Sequence, residues 1–150
     1  MRIRLESPDQ PEVLRLIDEL DGYQRPLYPA ESHHGIDLPA LMQPNVLFAV
    51  ARSDRGTAVG CGALLIGAEH GEIKRMFVSP AARGSGVGKQ LLAFLEDSAK
   101  SNGCTRLVLE TGYLQTAALL LYARSGYVRC GPFGAYSEDA NSVFMYKNAI

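Results

Sequence analysis

The sequence predicts an α/β protein built on one central mixed, mostly antiparallel sheet with helices on both faces. Three observations carry that prediction. Three strand-like runs between Val46 and Val78 follow one another through turns too short for crossovers, so they form an antiparallel meander. A strand, a glycine-rich turn and a helix then lead from Ile73 to a further strand ending at Glu110, a unit whose two strands lie parallel and adjacent. Two longer segments repeat apolar residues at helical spacing, and each such stripe needs a sheet face to cover it.

The elements follow in order. Met1 to Leu5 alternates apolar and charged residues, the period of an edge strand. Ser7-Pro8-Asp9 opens a helix, with Asp9 as N-cap and Glu12 three residues on. Val13, Leu16, Ile17 and Leu20 form its stripe, and Gly22 ends it. Tyr23 to Asn45 is rich in Pro, His and Ser and reads as a loop with one short helix near Asp37 to Met42. Val46–Arg52, Ala58–Ile66 and Glu72–Val78 are the meander, turning at Ser53-Asp54-Arg55-Gly56 and Ala68-Glu69-His70-Gly71. A helix follows the glycine run to about Asn102, its stripe made by Val87, Leu91, Leu95 and Ala99 and widened by Leu92. Gly103 stands where a helix C-terminus favours a left-handed residue. Thr105–Glu110 is a strand, Gln115–Arg124 a helix stopped by Gly126, and Tyr127–Cys130 and Ser142–Lys147 are the last strands.

Composition bounds the function. The 150 residues, 47% hydrophobic, suit a single domain spanning 1–150 with a real core. With 15 basic and 16 acidic residues the net charge is −1, and no run of like charge recommends nucleic acid or an anionic membrane as partner. No apolar run approaches a membrane span, and the charged start Met1-Arg2-Ile3-Arg4 lacks a signal-peptide core. Cys61, Cys104 and Cys130 are odd in number, widely spaced and without metal-ligand spacing, so no metal is expected and a reducing cytoplasm fits. Cys130 reads as a structural cysteine, since no catalytic partner is visible.

The run Arg83-Gly84-Ser85-Gly86-Val87-Gly88-Lys89 is the main chemical signal. Alternating glycines let successive N–H groups point into one concavity, and the following helix adds its unpaired N-terminal N–H groups and dipole. That makes a site for a phosphate or pyrophosphate, with Arg83 and Lys89 at its rim; the plain alternative is a tight turn capping a helix. A P-loop is excluded, because Gln90 follows Gly88-Lys89 and Arg83 stands where a glycine is required. The dinucleotide fingerprint is excluded too, because Lys89 occupies its third glycine position.

With its flanks, Met76-Phe77-Val78-Ser79-Pro80-Ala81-Ala82-Arg83-Gly84-Ser85-Gly86-Val87-Gly88 resembles the acetyl-CoA loop of the GCN5-related N-acetyltransferases, the GNAT family. The element order resembles that family over essentially the whole chain, which implies the acyl-CoA N-acyltransferase fold. Pro29-Ala30-Glu31-Ser32-His33, Leu109-Glu110-Thr111-Gly112, Gly131–Tyr136 and Ser142–Met145 resemble a small bacterial subgroup.

The resemblance implies an acetyl-CoA-dependent N-acetyltransferase working by direct transfer to a primary amine, with acetyl-CoA as co-substrate. It implies that the run from Arg83 to Lys89 holds the pyrophosphate, and that Met76, Phe77 and Val78 offer backbone groups to the pantetheine arm. In the family that strand splays from its parallel neighbour, and an asparagine further on touches the cofactor; Gln115 stands there in this chain. Glu72 matches a family general base, or is a solvated strand-end glutamate paired with a lysine. Tyr122, in Leu121-Tyr122-Ala123-Arg124-Ser125-Gly126-Tyr127, matches the tyrosine that protonates the leaving thiolate, or is a core aromatic. Glu31, His33 and Glu110 are candidates for binding the acceptor, Glu110 also as a second base; the adjacent histidines are otherwise surface polar residues. A small-molecule amine is the expected acceptor, and a homodimer is a family option. The alternatives are a CoA-binding sensing module without turnover, or transfer from a longer acyl-CoA.

Overall fold

The computed structural model describes residues 1–148. Its strands are β1 (Arg2–Leu5), β2 (Val46–Arg52), β3 (Ala58–Ile66), β4 (Gly71–Val78), β5 (Arg106–Gly112), β6 (Val128–Cys130) and β7 (Ser142–Asn148). Its helices are α1 (Pro11–Gln24), α2 (Leu38–Leu41), α3 (Val87–Ser101) and α4 (Thr116–Arg124), with short 3-10 turns at Ala30–Ser32 and Pro80–Ala82. Among the described residues the strands form one sheet in the order β1-β2-β3-β4-β5-β7-β6. Only β4 and β5 run parallel; the other pairs are antiparallel. No helix is long and apolar enough to cross a membrane, among the described residues.

Alternation along β2 divides the core. Ala49 and Ala51 face α3, where Leu91, Leu92, Leu95 and Ala99 pack on Leu64, Ile73, Leu107 and Leu109. Phe48 and Val50 face α1, where Val13, Leu16 and Leu20 pack with Cys61, Ala63 and Phe77. Each fully buried Leu or Val is worth about 1.5–3 kcal/mol, so each helix is held by its stripe more than by propensity.

The start and end of α1 differ from the sequence expectation. Gln10, not Asp9, is the N-cap, and no side chain caps the helix; Pro11 starts it instead. Ser7 Oγ accepts from the Asp9 N–H, which ties Asp9 into the preceding turn. Gly22 lies inside the helix, which runs on to Gln24 because Leu20 is already anchored in the core. An interior glycine costs about 1 kcal/mol, less than that burial returns.

Arg52 joins β2 to the α1 entry. Its guanidinium donates to both Glu6 carboxylate oxygens, Nε to Oε2 at 3.0 Å and Nη2 to Oε1 at 2.9 Å. Nη1 donates to Glu12 at 3.1 Å and to the Gly56 carbonyl at 2.7 Å. The Arg52 bonds hold the Glu6 carboxyl at about 2, well below its ordinary 4.5. A depressed carboxylate pKa stabilises the fold above the unfolded pKa, and that stability is lost as pH falls from about 4.5 to about 2. Glu6→Gln should cost about 1.5–3 kcal/mol at neutral pH and flatten the acid limb of a thermal-melt series; an unchanged limb would show that the pair does not carry it.

The feature that opens the site is in β4. Arg75 has φ 58°. One extra residue enters β4 there, because Ala63 pairs with Lys74 but Cys61 pairs with Phe77. The bulge swaps the faces downstream, so Ile73 lies under α3 while Phe77 lies under α1. It also parts β4 from β5. Their ladder stops at Ile73–Leu109, while the β3–β4 ladder continues to Gly60–Val78.

Candidate active site

The parting of β4 and β5 leaves a wedge, and α4 forms its far wall. The wedge contains a cavity of about 700 Å³. All the residues expected to hold the cofactor line it except Ser85, whose hydroxyl donates to the Ala82 carbonyl at 2.6 Å and so shapes the loop from behind. Among the described residues the edge of Met76–Val78 that faces β5 has no strand partner, which leaves backbone donors and acceptors for a ligand with amides.

The glycine loop ends this cavity. Gly84 and Gly86 have φ of 83° and 85°, a region glycine enters without Cβ penalty. Gly86 is the N-cap of α3, with no side-chain cap bond and no acidic residue in the first turn. The N–H groups at the start of α3 are therefore left for an anion, next to Lys89. Arg83 turns back, donating from Nε to the Val78 carbonyl at 3.0 Å and lying over the Phe77 ring. A Cβ on Gly88 would meet Leu121 Cδ2 at 3.3 Å, so this glycine lets α3 approach α4.

A second, smaller chamber of about 90 Å³ opens on the other side of the same wall. Leu20, Met76, Gln115, Ala118 and Tyr122 line both cavities. Tyr122 is 6% exposed, packs edge-on against Tyr127, and has its hydroxyl pushed up by burial and then by the Glu110 carboxylate. Glu110 lines the small chamber, and burial raises its carboxyl. No cation lies within salt-bridge distance of it among the described residues.

Of the other expected residues, His33 reaches the chamber and Glu31 does not. His33 Nε2 lies 2.9 Å from the Tyr28 carbonyl, which can only accept, so this nitrogen is the donor. Glu72 stands outside the chamber lining. Its Oε2 accepts from the Tyr136 hydroxyl at 2.7 Å and lies 3.6 Å from Lys74 Nζ. Gln115 is the N-cap of α4, and its Oε1 accepts from the Gly112 N–H at 3.1 Å.

The structure adds residues that the sequence did not single out. Tyr28 Oη accepts from the Leu114 N–H at 3.2 Å and lies where a Cβ on Gly112 would be, so Gly112 is the only residue type that admits this ring. Lys74, Arg75 and Asn141 also line the chamber. Gly112 in the subgroup-like segment was the one available signal; the rest depend on the bulge and on loops remote in sequence. Chemically, the two cavities set an anion cradle and an amide-binding edge on one side of Tyr122. The partly buried Glu110 carboxylate stands on the other.

Residues 11–127 match the profile of the acetyltransferase (GNAT) family. An IAA acetyltransferase of Azospirillum brasilense is 50% identical over 147 residues, covering 97% of this chain and 95% of that protein. A crystal structure from Klebsiella pneumoniae, of a protein classed as an acyl-CoA N-acyltransferase, superposes with a TM-score of 0.85 at 37% identity, covering 99% of this chain and 97% of the other. An aminoglycoside 6'-N-acetyltransferase complexed with coenzyme A has the same fold, with a TM-score of 0.74 at 21% identity and coverage of 100% and 98%. Profile, relatives and fold agree: this chain belongs to the GNAT family of acetyltransferases.

Proposed function

We propose that the protein transfers an acetyl group from acetyl-CoA directly to the primary amine of a small molecule. The observation that carries this reading is the shared wall: Tyr122 borders both the long cavity and the chamber that holds Glu110. A thioester bound along β4 would end at that wall, and an amine in the chamber would meet it there.

The residues divide the work. The free edge of Met76–Val78 pairs with the amides of the pantetheine arm, and the glycine loop with the α3 N-terminus holds the pyrophosphate. Bound acetyl-CoA supplies the acetyl group as a thioester. Glu110 accepts a proton from the incoming ammonium, which frees the nitrogen lone pair. The freed nitrogen adds to the thioester carbonyl carbon. As the carbon–sulfur bond breaks, Tyr122 donates its hydroxyl proton to the departing sulfur and recovers one from the newly acylated nitrogen, leaving the amide and the free thiol. Glu72 supports the chamber from behind, through Tyr136 and Lys74. A small acceptor is favoured because the chamber is the smaller of the two cavities, at about 90 Å³ against about 700 Å³. The name of the half-identical relative, an IAA acetyltransferase, also favours a small acceptor.

The test is thiol release from acetyl-CoA with amino acids, polyamines, aminoglycosides, peptides and IAA, run beside a thermal-shift titration with CoA. Stabilisation by CoA with release on one small amine supports the reading. Stabilisation with no release on any acceptor would favour a sensing module. No stabilisation would overturn the assignment of the glycine loop. Gly86→Ala gives a narrower check: no side chain stands in the way nearer than Gln90 Nε2 at 3.8 Å, so the cost is the left-handed backbone, about 1–2 kcal/mol. CoA affinity should fall about ten-fold as the N–H groups turn away; an unchanged affinity would remove the loop from the anion site.

A further inference from the structure

We propose that Arg75 is a positioning residue that couples the cofactor strand to the acceptor loop, so that occupancy of the β4–β5 wedge by CoA stiffens the loop over the small chamber. The inference rests on the proposed function above, which makes one cavity the CoA site and the other the acceptor site.

Arg75 is the one non-glycine residue with positive φ among the described residues, at 58°. Such backbone persists only where the surroundings hold it, and it is found disproportionately at functional sites. Here the surroundings are identifiable. Nη1 donates to Asp21 Oδ1 of α1 at 2.6 Å. Nη2 and Nε donate to the Ile36 carbonyl at 3.1 Å and 3.4 Å. A Cβ on Gly35 would stand 2.7 Å from Nη2, so the loop lies directly against the guanidinium and any side chain there would push it aside. The side chain is 10% exposed and lines the small chamber.

One side chain thus joins three elements: α1, the bulge of β4 and the loop Gly35–Ile36. The next residue along β4, Met76, begins the free edge assigned to the cofactor. A ligand paired with that edge restrains the bulge, and the guanidinium passes the restraint to the Ile36 carbonyl. Lys74 adds a parallel tie, its Nζ donating to the His34 carbonyl at 2.6 Å. Lys74 precedes the bulge on the still-paired part of β4, so it anchors the loop whether or not the wedge is filled.

The test is amide hydrogen exchange of the segment 33–37 with and without CoA, with CoA affinity measured by calorimetry. In the wild type, CoA should slow exchange of this segment about five-fold or more, the lower end of ordinary coupling. In Arg75→Gln, CoA should still bind within about three-fold while the slowing disappears, and KM for the fastest amine of the panel should rise more than kcat falls. Gly35→Ala displaces the guanidinium without touching Arg75 and should give the same loss, which keeps the test valid if Arg75→Gln folds poorly. Asp21→Arg combined with Arg75→Asp separates the two ties. Asp tolerates left-handed backbone, and the exchanged ion pair restores the bond to α1, but a carboxylate cannot donate to the Ile36 carbonyl. The double variant should regain thermal stability and still lack the slowing. Slowing that persists in Arg75→Gln, or returns in the double variant, overturns the coupling. So does wild-type protein that binds CoA with no change in the segment. Wild-type protein that does not bind CoA sinks the functional reading itself, and is told apart by calorimetry.

Discussion

Tyr122→Phe should lower kcat about 100-fold or more while CoA affinity stays within about three-fold, the signature of a lost proton donor. The ring of Tyr122 packs edge-on against Tyr127, whose hydroxyl donates to Glu96 at 2.9 Å. Phenylalanine keeps that packing, so the substitution removes one hydroxyl and little else. Burial and then the Glu110 carboxylate raise the pKa of that hydroxyl. It therefore stays protonated through the neutral range and carries a proton to give. A thiolate leaving group needs that proton only as the carbon–sulfur bond breaks, so the loss appears in kcat and not in binding. Steady-state kinetics with calorimetric CoA binding decide the matter. An unchanged kcat would return Tyr122 to the role of a core aromatic.

Much of this arrangement was readable from the chain because it depends on local pattern. Val46–Arg52 and Ala58–Ile66 are apolar runs with the limits expected of them, and the glycine run opens a helix as its spacing requires. Gly103 takes the left-handed conformation expected after α3, and Gly126, expected to stop α4, takes it too. What was not readable depends on distant contacts. Period two places Ile73 and Phe77 on one face of β4; the extra residue at Arg75 puts them on opposite faces, and nothing local in Lys74-Arg75-Met76 announces it. Glu72 carries the right side chain on the right strand. Yet the segment between β6 and β7 brings Tyr136 onto its carboxylate, 64 residues away in sequence. Glu31 lies near the chamber in sequence and outside its lining, whereas Arg75 and Asn141 reach it from other elements.

That contrast makes Glu110→Gln the more decisive test of the acid–base assignment. The amide keeps the shape of the side chain and some of its hydrogen bonding but cannot take a proton, so kcat/KM for the amine should fall about 100- to 1,000-fold. The pH dependence should separate this from a packing defect. Burial raises the Glu110 carboxyl above its ordinary 4.5. The base works only when ionised, so activity should rise with pH through that raised value and be lost below it. The limb should disappear in Glu110→Gln, and the small residual rate should follow only the amine's own ionisation. Glu72→Gln provides the matched control, because it weakens the Tyr136 hydroxyl and Lys74 contacts without removing a group from the chamber lining. It should raise KM for the amine a few-fold and leave the acid limb in place. If instead the limb vanishes in Glu72→Gln and survives in Glu110→Gln, proton transfer runs through Glu72. The chamber carboxylate then serves to hold the ammonium. The two outcomes differ in which variant keeps its pH profile, so one pair of titrations assigns the base.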